Sequence, residues 1–95
     1  MKVTVKFTSL IRTLTKTNRI TINLRENAEI RDLIKILETR YGKGLIDLLY
    51  YSEMGPHESW TSIIVDGQIF SLTPELDVRL KDGSVVVLMA AVGGG

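Results

Sequence analysis

Alternation of polar and apolar residues predicts two strands near the start of the chain. "KVTVKF" (residues 2–7) has an apolar residue at every second position. "RITINL" (19–24) repeats this two-residue period, which is typical of half-buried strands. The polar "TKTN" between them predicts a turn, so the two strands should form an antiparallel hairpin with a fairly long connection. Three apolar residues of that connection should pack partly on the core: Leu10, Ile11 and Leu14.

The hydrophobic period then changes to that of a helix. Between residues 27 and 42 the apolar positions recur at i, i+3, i+4, i+7 and i+11, which makes one stripe of three turns. Asn27 is the expected N-cap, and Gly42 is the expected stop. The acidic residues of the first turn and Arg40 in the last turn suit the helix dipole. The stripe consists of Ile30, Leu33, Ile34, Leu37 and Tyr41.

The second half of the chain predicts short helical turns and three more strands. Residues 43–49 favour one or two helical turns, and Gly55-Pro56 predicts a turn after them. "WTSIIVDGQIF" (60–70) indicates a hairpin around its Asp-Gly pair. Pro74 argues against a central strand around it. "SVVVLM" (84–89) is apolar on both faces, which places it in the centre of a sheet.

These elements predict an α+β fold with a mixed sheet of four to five strands and one main helix packed across one face. Pairing the last strand in parallel with the first gives the β-grasp arrangement of ubiquitin. Residues 1–89 then form the β-grasp domain, and residues 90–95 form a flexible C-terminal tail. Alternate residues of the last strand face opposite sides, so one apolar set is either exposed as a partner site or covered by residues 43–59. The two sets are Val85, Val87 and Met89, and Val86, Leu88 and Ala90.

Composition excludes several function classes. The 95 residues carry 12 Lys and Arg against 11 Asp and Glu, a net charge of +1 with no basic run, so neither nucleic acid nor a membrane is an expected partner. There is no cysteine for thiolate catalysis or metal binding. The longest apolar run, Val85 to Val92, is eight residues, whereas a spanning helix needs about 20. We therefore expect a cytoplasmic protein.

Candidate side-chain chemistry is sparse. His57 is the single histidine, and a metal site needs three or four ligands, so no metal is expected. The nearby serines show no triad spacing, and Glu53 and Glu58 are typical of solvated surface. Trp60 and the tyrosines lack the basic patch that base stacking requires. The domain therefore shows no active site of its own, and the glycine-rich C-terminus is its one unusual feature.

The chain resembles the MoaD/ThiS-like sulfur carriers, which are ubiquitin-like proteins that end in Gly-Gly. The resemblance runs through "SLIRTLT", "IRDLIKILETRYG" and "IIVDGQ", and it is most specific at "LKDGSVVVLMAAVGGG". It implies that an activating enzyme adenylates the C-terminal carboxylate with ATP and converts it to a thiocarboxylate with a sulfur donor. In the MoaD branch the chain would be the small subunit of molybdopterin synthase, a sulfur-donating co-substrate for molybdenum cofactor biosynthesis. No cofactor would be bound to the chain itself.

The resemblance also implies partners and site residues. The partners would be a MoeB/ThiF-like adenylating enzyme and the MoaE-like large subunit of molybdopterin synthase. Gly95 would carry the reactive carboxylate, with Gly94 beside it. Ala90-Ala91 stands where the family often has Pro-Pro, and the third glycine leaves open whether Gly95 or Gly94 is the mature terminus. The residues expected to contact a partner are Leu88, Met89, Ala90, Ala91, Val92 and Gly93.

The physical properties of the tail agree with that role. Glycine has no Cβ, which suits a slim tether that enters a buried nucleotide site. Residues 90–95 span about 20 Å when fully extended, at roughly 3.3–3.6 Å per residue. Two alternatives stay open. In the first, the chain is a ubiquitin-like modifier of lysines or a sulfur carrier for tRNA thiolation. In the second, it is a β-grasp binding domain with an inert tail.

Overall fold

The computed structural model describes residues 1–50, 61–73 and 76–90. The strands are β1 (Lys2–Phe7), β2 (Arg19–Asn23), β3 (Thr61–Val65), β4 (Gln68–Ser71) and β5 (Val85–Ala90). The helices are α1 (Ser9–Thr15), α2 (Ile30–Tyr41) and α3 (Lys43–Tyr50). Along the described ranges the elements follow one another in the order β1-α1-β2-α2-α3-β3-β4-β5.

The strands form one mixed sheet in the order β2-β1-β5-β3-β4. β1 and β5 are parallel, and every other neighbouring pair is antiparallel. The predicted hairpins β1-β2 and β3-β4 are confirmed, and so is the central, parallel position of the last strand. The architecture is therefore the ubiquitin-like β-grasp that the hydrophobic pattern predicts.

Helix α2 packs its apolar stripe on one face of the sheet. Ile30, Leu33, Ile34 and Leu37 are buried in one cluster with the inward-facing residues of the strands. Gly42, at a φ of 86°, follows the last helical residue, and its N–H donates to the Glu38 carbonyl at 2.8 Å. The predicted stripe and the predicted stop are both confirmed.

The predicted N-cap of α2 is wrong by two residues. Asn27 has a φ of 64° and lies in a turn, and Glu29 is the N-cap. The Asp32 carboxylate accepts from the Glu29 N–H at 2.8 Å. The chain stays extended through residues 28–29 because Leu80 N–H donates to the Ala28 carbonyl at 2.9 Å and Glu29 bridges to Arg79. Tertiary pairing thus delays the start of the helix.

The other two helices differ in how well the sequence predicts them. The connection between β1 and β2, expected as a loop, contains α1, in which Ile11 is fully buried and Leu14 is 46% exposed. Helix α3 confirms the turns predicted over residues 43–49, and it packs against α1 and α2 through Leu45 and Leu49.

Gly55-Pro56 and Pro74 lie outside the described residues. No helix in the described ranges is both long enough and apolar enough to cross a membrane.

Candidate functional site

The last strand is held on both sides by the sheet. Its residues pair with β1 from Thr4↔Val85 to Phe7↔Leu88 and with β3 from Thr61↔Ala90 to Val65↔Val86. Both edges of β5 are therefore hydrogen-bonded, and the strand is a rigid base for whatever follows it. Ala90, which the sequence assigns to the tail, is the last residue of this strand.

Thr8 secures β5 close to its end. Its backbone N–H and its side-chain hydroxyl both donate to the Leu88 carbonyl oxygen, at 3.3 and 3.0 Å. Thr8 is also the residue before α1, and its own carbonyl accepts from the Ile11 N–H at 3.1 Å. Thr8 thus follows β1, precedes α1 and binds the Leu88 carbonyl of β5, two residues before the strand ends.

The start of β5 is secured by the β3-β4 turn. Asp66 and Gly67, at φ values of 49° and 89°, form that turn. The Asp66 carboxylate accepts from the Val85 N–H at 2.9 Å and from the Ser84 hydroxyl at 2.8 Å. Ser84 is fully buried, and its hydroxyl also accepts from the Lys81 N–H at 3.0 Å. These bonds connect the Asp66-Gly67 turn to the second Asp-Gly turn, Asp82-Gly83, which directly precedes Ser84 and β5.

The two faces of β5 have different environments. Val86 and Leu88 are fully buried under the helices, whereas the alternate residues of the strand are partly exposed on the opposite face. We call that opposite face of the sheet the outer face. Residues 43–50 form helix α3, which packs with α1 and α2, and residues 51–59, which the sequence offered as a further cover, lie outside the described residues. The partly exposed apolar set is the one that contains Val87.

Apolar side chains from three neighbouring strands lie together on the outer face. β5 supplies three of them, β3 supplies one, and β4 supplies Ile69, which is 67% exposed. An exposed apolar patch of this kind commonly marks a partner site. We call this set the outer strip: Ile64, Ile69, Val85, Val87 and Met89.

Basic side chains surround the end of the sheet at which β5 ends. The first 25 residues carry six Lys and Arg and no Asp or Glu, so their charge of +6 opposes −5 on the remaining 70. Lys2 lies at the far end of β1, where the Asp82 carboxylate accepts from its N–H at 2.8 Å. The exposed cations of β1, α1 and β2 near the end of β5 are here called the basic edge: Lys6, Arg12, Lys16 and Arg19.

The sequence interpretation missed this basic edge. It considered only the net charge and consecutive basic residues, and the four cations lie at least three positions apart. The detectable signal is the absence of any acidic residue before Glu26. Folding brings the four together because β1, α1 and β2 meet where Phe7 pairs with Leu88.

The structure describes only part of the predicted site. Leu88 was expected to contact a partner, but its side chain is fully buried, so a partner reaches at most its backbone. Met89 is partly exposed on the outer face. The expected tail residues Ala91, Val92, Gly93, Gly94 and Gly95 lie outside the described residues.

Other candidate groups form no site in the described ranges. His57, Glu53, Glu58 and Trp60 also lie outside those ranges. The described residues contain no group of three or more His, Cys, Asp or Glu side chains with the spacing for a metal ion. What the described residues do bring together beside the end of β5 are the outer strip and the basic edge.

Comparison with known proteins agrees with this geometry. The model of the ThiS family matches residues 5–95. No curated protein sequence matches the chain significantly. Subunit 1 of a putative molybdopterin converting factor from Pyrococcus furiosus is 29% identical over 97% of this chain and 99% of its own, with a TM-score of 0.75.

Two further solved structures share the fold. Small archaeal modifier protein 1 from Methanosarcina acetivorans is 21% identical over 99% of this chain and 96% of its own, with a TM-score of 0.72. A complex of subunits 1 and 2 of the molybdopterin-converting factor from Helicobacter pylori contains a chain that is 24% identical, with full coverage of both chains and a TM-score of 0.62.

Proposed function

Because the chain belongs to the ThiS family, we propose that it is a sulfur carrier whose C-terminal carboxylate is converted to a thiocarboxylate. The observation that carries this proposal is the position of β5. The strand lies between β1 and β3 in the middle of the sheet, and Thr8 bonds its Leu88 carbonyl two residues before it ends. The five residues that follow, 91–95, therefore start from a rigid base, which fixes where a tether of about 17 Å is attached.

The proposed chemistry uses no side chain of this protein. A carboxylate oxygen of Gly95 attacks the α-phosphorus of ATP on an activating enzyme, and the bond to pyrophosphate breaks. The resulting acyl adenylate is an electrophile. Hydrosulfide released by the donor attacks its carbonyl carbon, the bond to AMP breaks, and loss of the sulfur-bound proton leaves the thiocarboxylate. The carrier's own task is to bind the enzyme and present its terminus, which agrees with an interaction surface next to β5.

Docking must come from the folded domain. Ordering the three terminal glycines costs on the order of 1–2 kcal/mol each, so body contacts have to supply affinity. The outer strip lies next to the end of β5, because it includes Met89, the residue before Ala90. We assign it to contact with the activating enzyme, which is of the MoeB/ThiF type.

The sulfur acceptor that we propose is a molybdopterin precursor. This part of the proposal is supported by the 29% identity to subunit 1 of a putative molybdopterin converting factor. The Helicobacter pylori structure that shares this fold is a complex of subunits 1 and 2 of a molybdopterin-converting factor. The corresponding partner of this chain would be a MoaE-like large subunit, and both proteins would act in the cytoplasm.

Pyrophosphate exchange tests the activation step. The full chain is incubated with a ThiF-type adenylating enzyme from the same organism, ATP and labelled pyrophosphate. We expect label in ATP, because adenylation is reversible until sulfur attacks. A chain without Gly94 and Gly95 should give no exchange and is the negative control. A chain that lacks only Gly95 decides which glycine acts, since it supports exchange only if Gly94 is a competent terminus.

A second candidate function is covalent modification of proteins. It is favoured by the shared fold of small archaeal modifier protein 1 from Methanosarcina acetivorans. In this case the amine of a lysine side chain attacks the carbonyl carbon of the acyl adenylate, an amide bond forms, and AMP and a proton are released. Higher-mass conjugates in cell lysate, detected with an antibody to the chain, should then disappear when Gly94 and Gly95 are deleted. A sulfur carrier without modifier activity gives no such conjugates.

A further inference from the structure

Two cations are placed directly opposite each other on neighbouring strands. Lys6 of β1 and Arg19 of β2 are register partners, and both are exposed on the outer face. Like charges in directly opposed positions destabilise a sheet. Among the described residues neither cation forms an ion pair, whereas Arg25 pairs with Asp32 at 3.1 Å and Arg31 pairs with Asp77 at 3.7 Å. The stability of the fold therefore does not explain why these two cations face each other.

The pair continues the outer strip across the sheet. The register connects Arg19 to Lys6, Lys6 to Val87, Val87 to Ile64, and Ile64 to Ile69. With neighbouring strands about 4.8 Å apart, this row is about 19 Å long. It is cationic on two strands and apolar on three, so one continuous surface has an apolar part and a charged border.

This surface also lies close to the proposed tether. Val87 is three residues before Ala90, a distance of about 10 Å along a strand. Arg12 and Lys16, on α1 and at its C-cap, add positive charge at the same end of the sheet. A partner that receives the C-terminal segment therefore meets the basic edge at the same time.

We propose that the basic edge binds an acidic border on the protein that receives the C-terminus, while the outer strip packs against an apolar centre. The proposal rests on the proposed function, because that function identifies the partner that receives the C-terminus as the activating enzyme. Complementary charges around an interface raise the association rate constant and fix the orientation of the two proteins more than they slow dissociation. The Lys6–Arg19 repulsion is then relieved when carboxylates of the enzyme approach.

A protein fits this surface better than RNA. Single-stranded nucleic acid binds where aromatic side chains alternate with cations, and the outer face of the described strands carries no aromatic residue. Three of the five positions in the row are aliphatic, which suits burial against another apolar surface. The other two are cationic and require anions on the partner.

The sharpest test reverses one charge. Lys6→Glu turns a repulsive cross-strand pair into an attractive one, so it should raise the melting temperature by roughly 1 to 5 °C. The same substitution should weaken binding to the ThiF-type enzyme, measured by isothermal titration calorimetry in 50 mM NaCl. A purely structural role for Lys6 predicts no change in the dissociation constant, and that result would overturn the proposal.

A double variant sets the magnitude. Lys6→Glu with Arg19→Glu should raise the dissociation constant about tenfold in 50 mM NaCl, the lower end of what electrostatic steering contributes. In 500 mM NaCl the ratio should fall below about threefold, because salt screens exposed charges. The matched control reverses the charge of two other lysines, by Lys35→Glu with Lys43→Glu. Both are exposed on α2 and α3, on the opposite side of the sheet. This control should change the constant less than about twofold, because it lies outside the docking face.

The remaining outcomes are equally decisive. Equal effects of the double variant and its control overturn the proposal, and so does a lack of binding by the unaltered chain. Loss of binding to total tRNA with unchanged affinity for the enzyme would assign the basic edge to RNA and also overturn it. Binding without pyrophosphate exchange refutes the proposed function, whereas the measured ratio of dissociation constants still decides the docking proposal.

Discussion

Thr8 is the residue that connects the fold most directly to the proposed function. Its two donors converge on the Leu88 carbonyl, at the point where β1 diverges from β5 and the sheet can no longer satisfy that oxygen through a continuing strand. The hydroxyl caps no helix, since Thr8 precedes α1 without a side-chain bond to it. Its effect is therefore local to the base of the C-terminal segment.

Thr8→Val removes this hydroxyl and keeps the shape of the side chain. We expect it to lower the free energy of unfolding by about 0.5–1.5 kcal/mol, the net value of one hydrogen bond. Urea unfolding monitored by circular dichroism measures the change. Thr4→Val, on the outer face of β1, is the control and should stay within about 0.5 kcal/mol of the parent. Equal losses in the two variants would show that the bond to Leu88 has no specific value.

Residue-scale prediction from sequence succeeds where local chemistry has no competitor. Gly42 ends α2 as expected, because a φ of 86° is cheap only for glycine. Asn27 is not the N-cap, because the Ala28 carbonyl is recruited by Leu80, far along the chain, and asparagine also tolerates a positive φ. A preference read from one position cannot include such a remote partner.

At the scale of elements, the length of each helix determined whether the sequence could predict it. Helix α2 has 12 residues and shows three turns of one apolar stripe, so its periodicity is unambiguous. Helix α1 has seven residues, too few for the period to stand out from a loop with three apolar positions. Its helical form depends on packing against β5 and α3, since isolated short helices are marginal.

The packing of α1 gives a prediction with a control in the same helix. Ile11→Ala creates a cavity at a fully buried position, so it should cost about 2–4 kcal/mol of unfolding free energy. Leu14→Ala, at a position 46% exposed, should cost less than about 1 kcal/mol. Chemical denaturation of both variants provides the comparison. Similar costs would contradict the description of α1 as an element docked on one face.

At the scale of the whole molecule, the net charge of +1 conceals a strong asymmetry. One end of the sheet is basic, whereas the chain after residue 25 is acidic overall. The sequence predicted the strands and the parallel pairing of the first with the last, and it predicted that one apolar set of the last strand could be an exposed partner site. The rest of the surface could not be predicted, since it exists only after register places Lys6 beside Val87 and Val87 beside Ile64.

The outer strip is tested by a residue that the core does not need. Ile69 is 67% exposed, so Ile69→Lys should leave the melting temperature within about 3 °C of the parent. Binding to the activating enzyme should weaken by roughly tenfold or more, the value of about 1.4 kcal/mol of lost apolar contact. Gln68→Lys, exposed on the other face of β4, is the control for the added charge. Equal affinities of the two variants would exclude the outer strip from the interface.

The most direct measurement of the central claim is the intact mass of the full chain after incubation with the activating enzyme, ATP and a sulfur donor. Replacement of one carboxylate oxygen by sulfur adds about 16 Da, and the added mass should be absent without ATP. A chain that lacks Gly94 and Gly95 should keep its mass under all conditions. The account predicts the shift in the full chain alone. An unchanged mass with an enzyme that is active on the same chain in pyrophosphate exchange would contradict it.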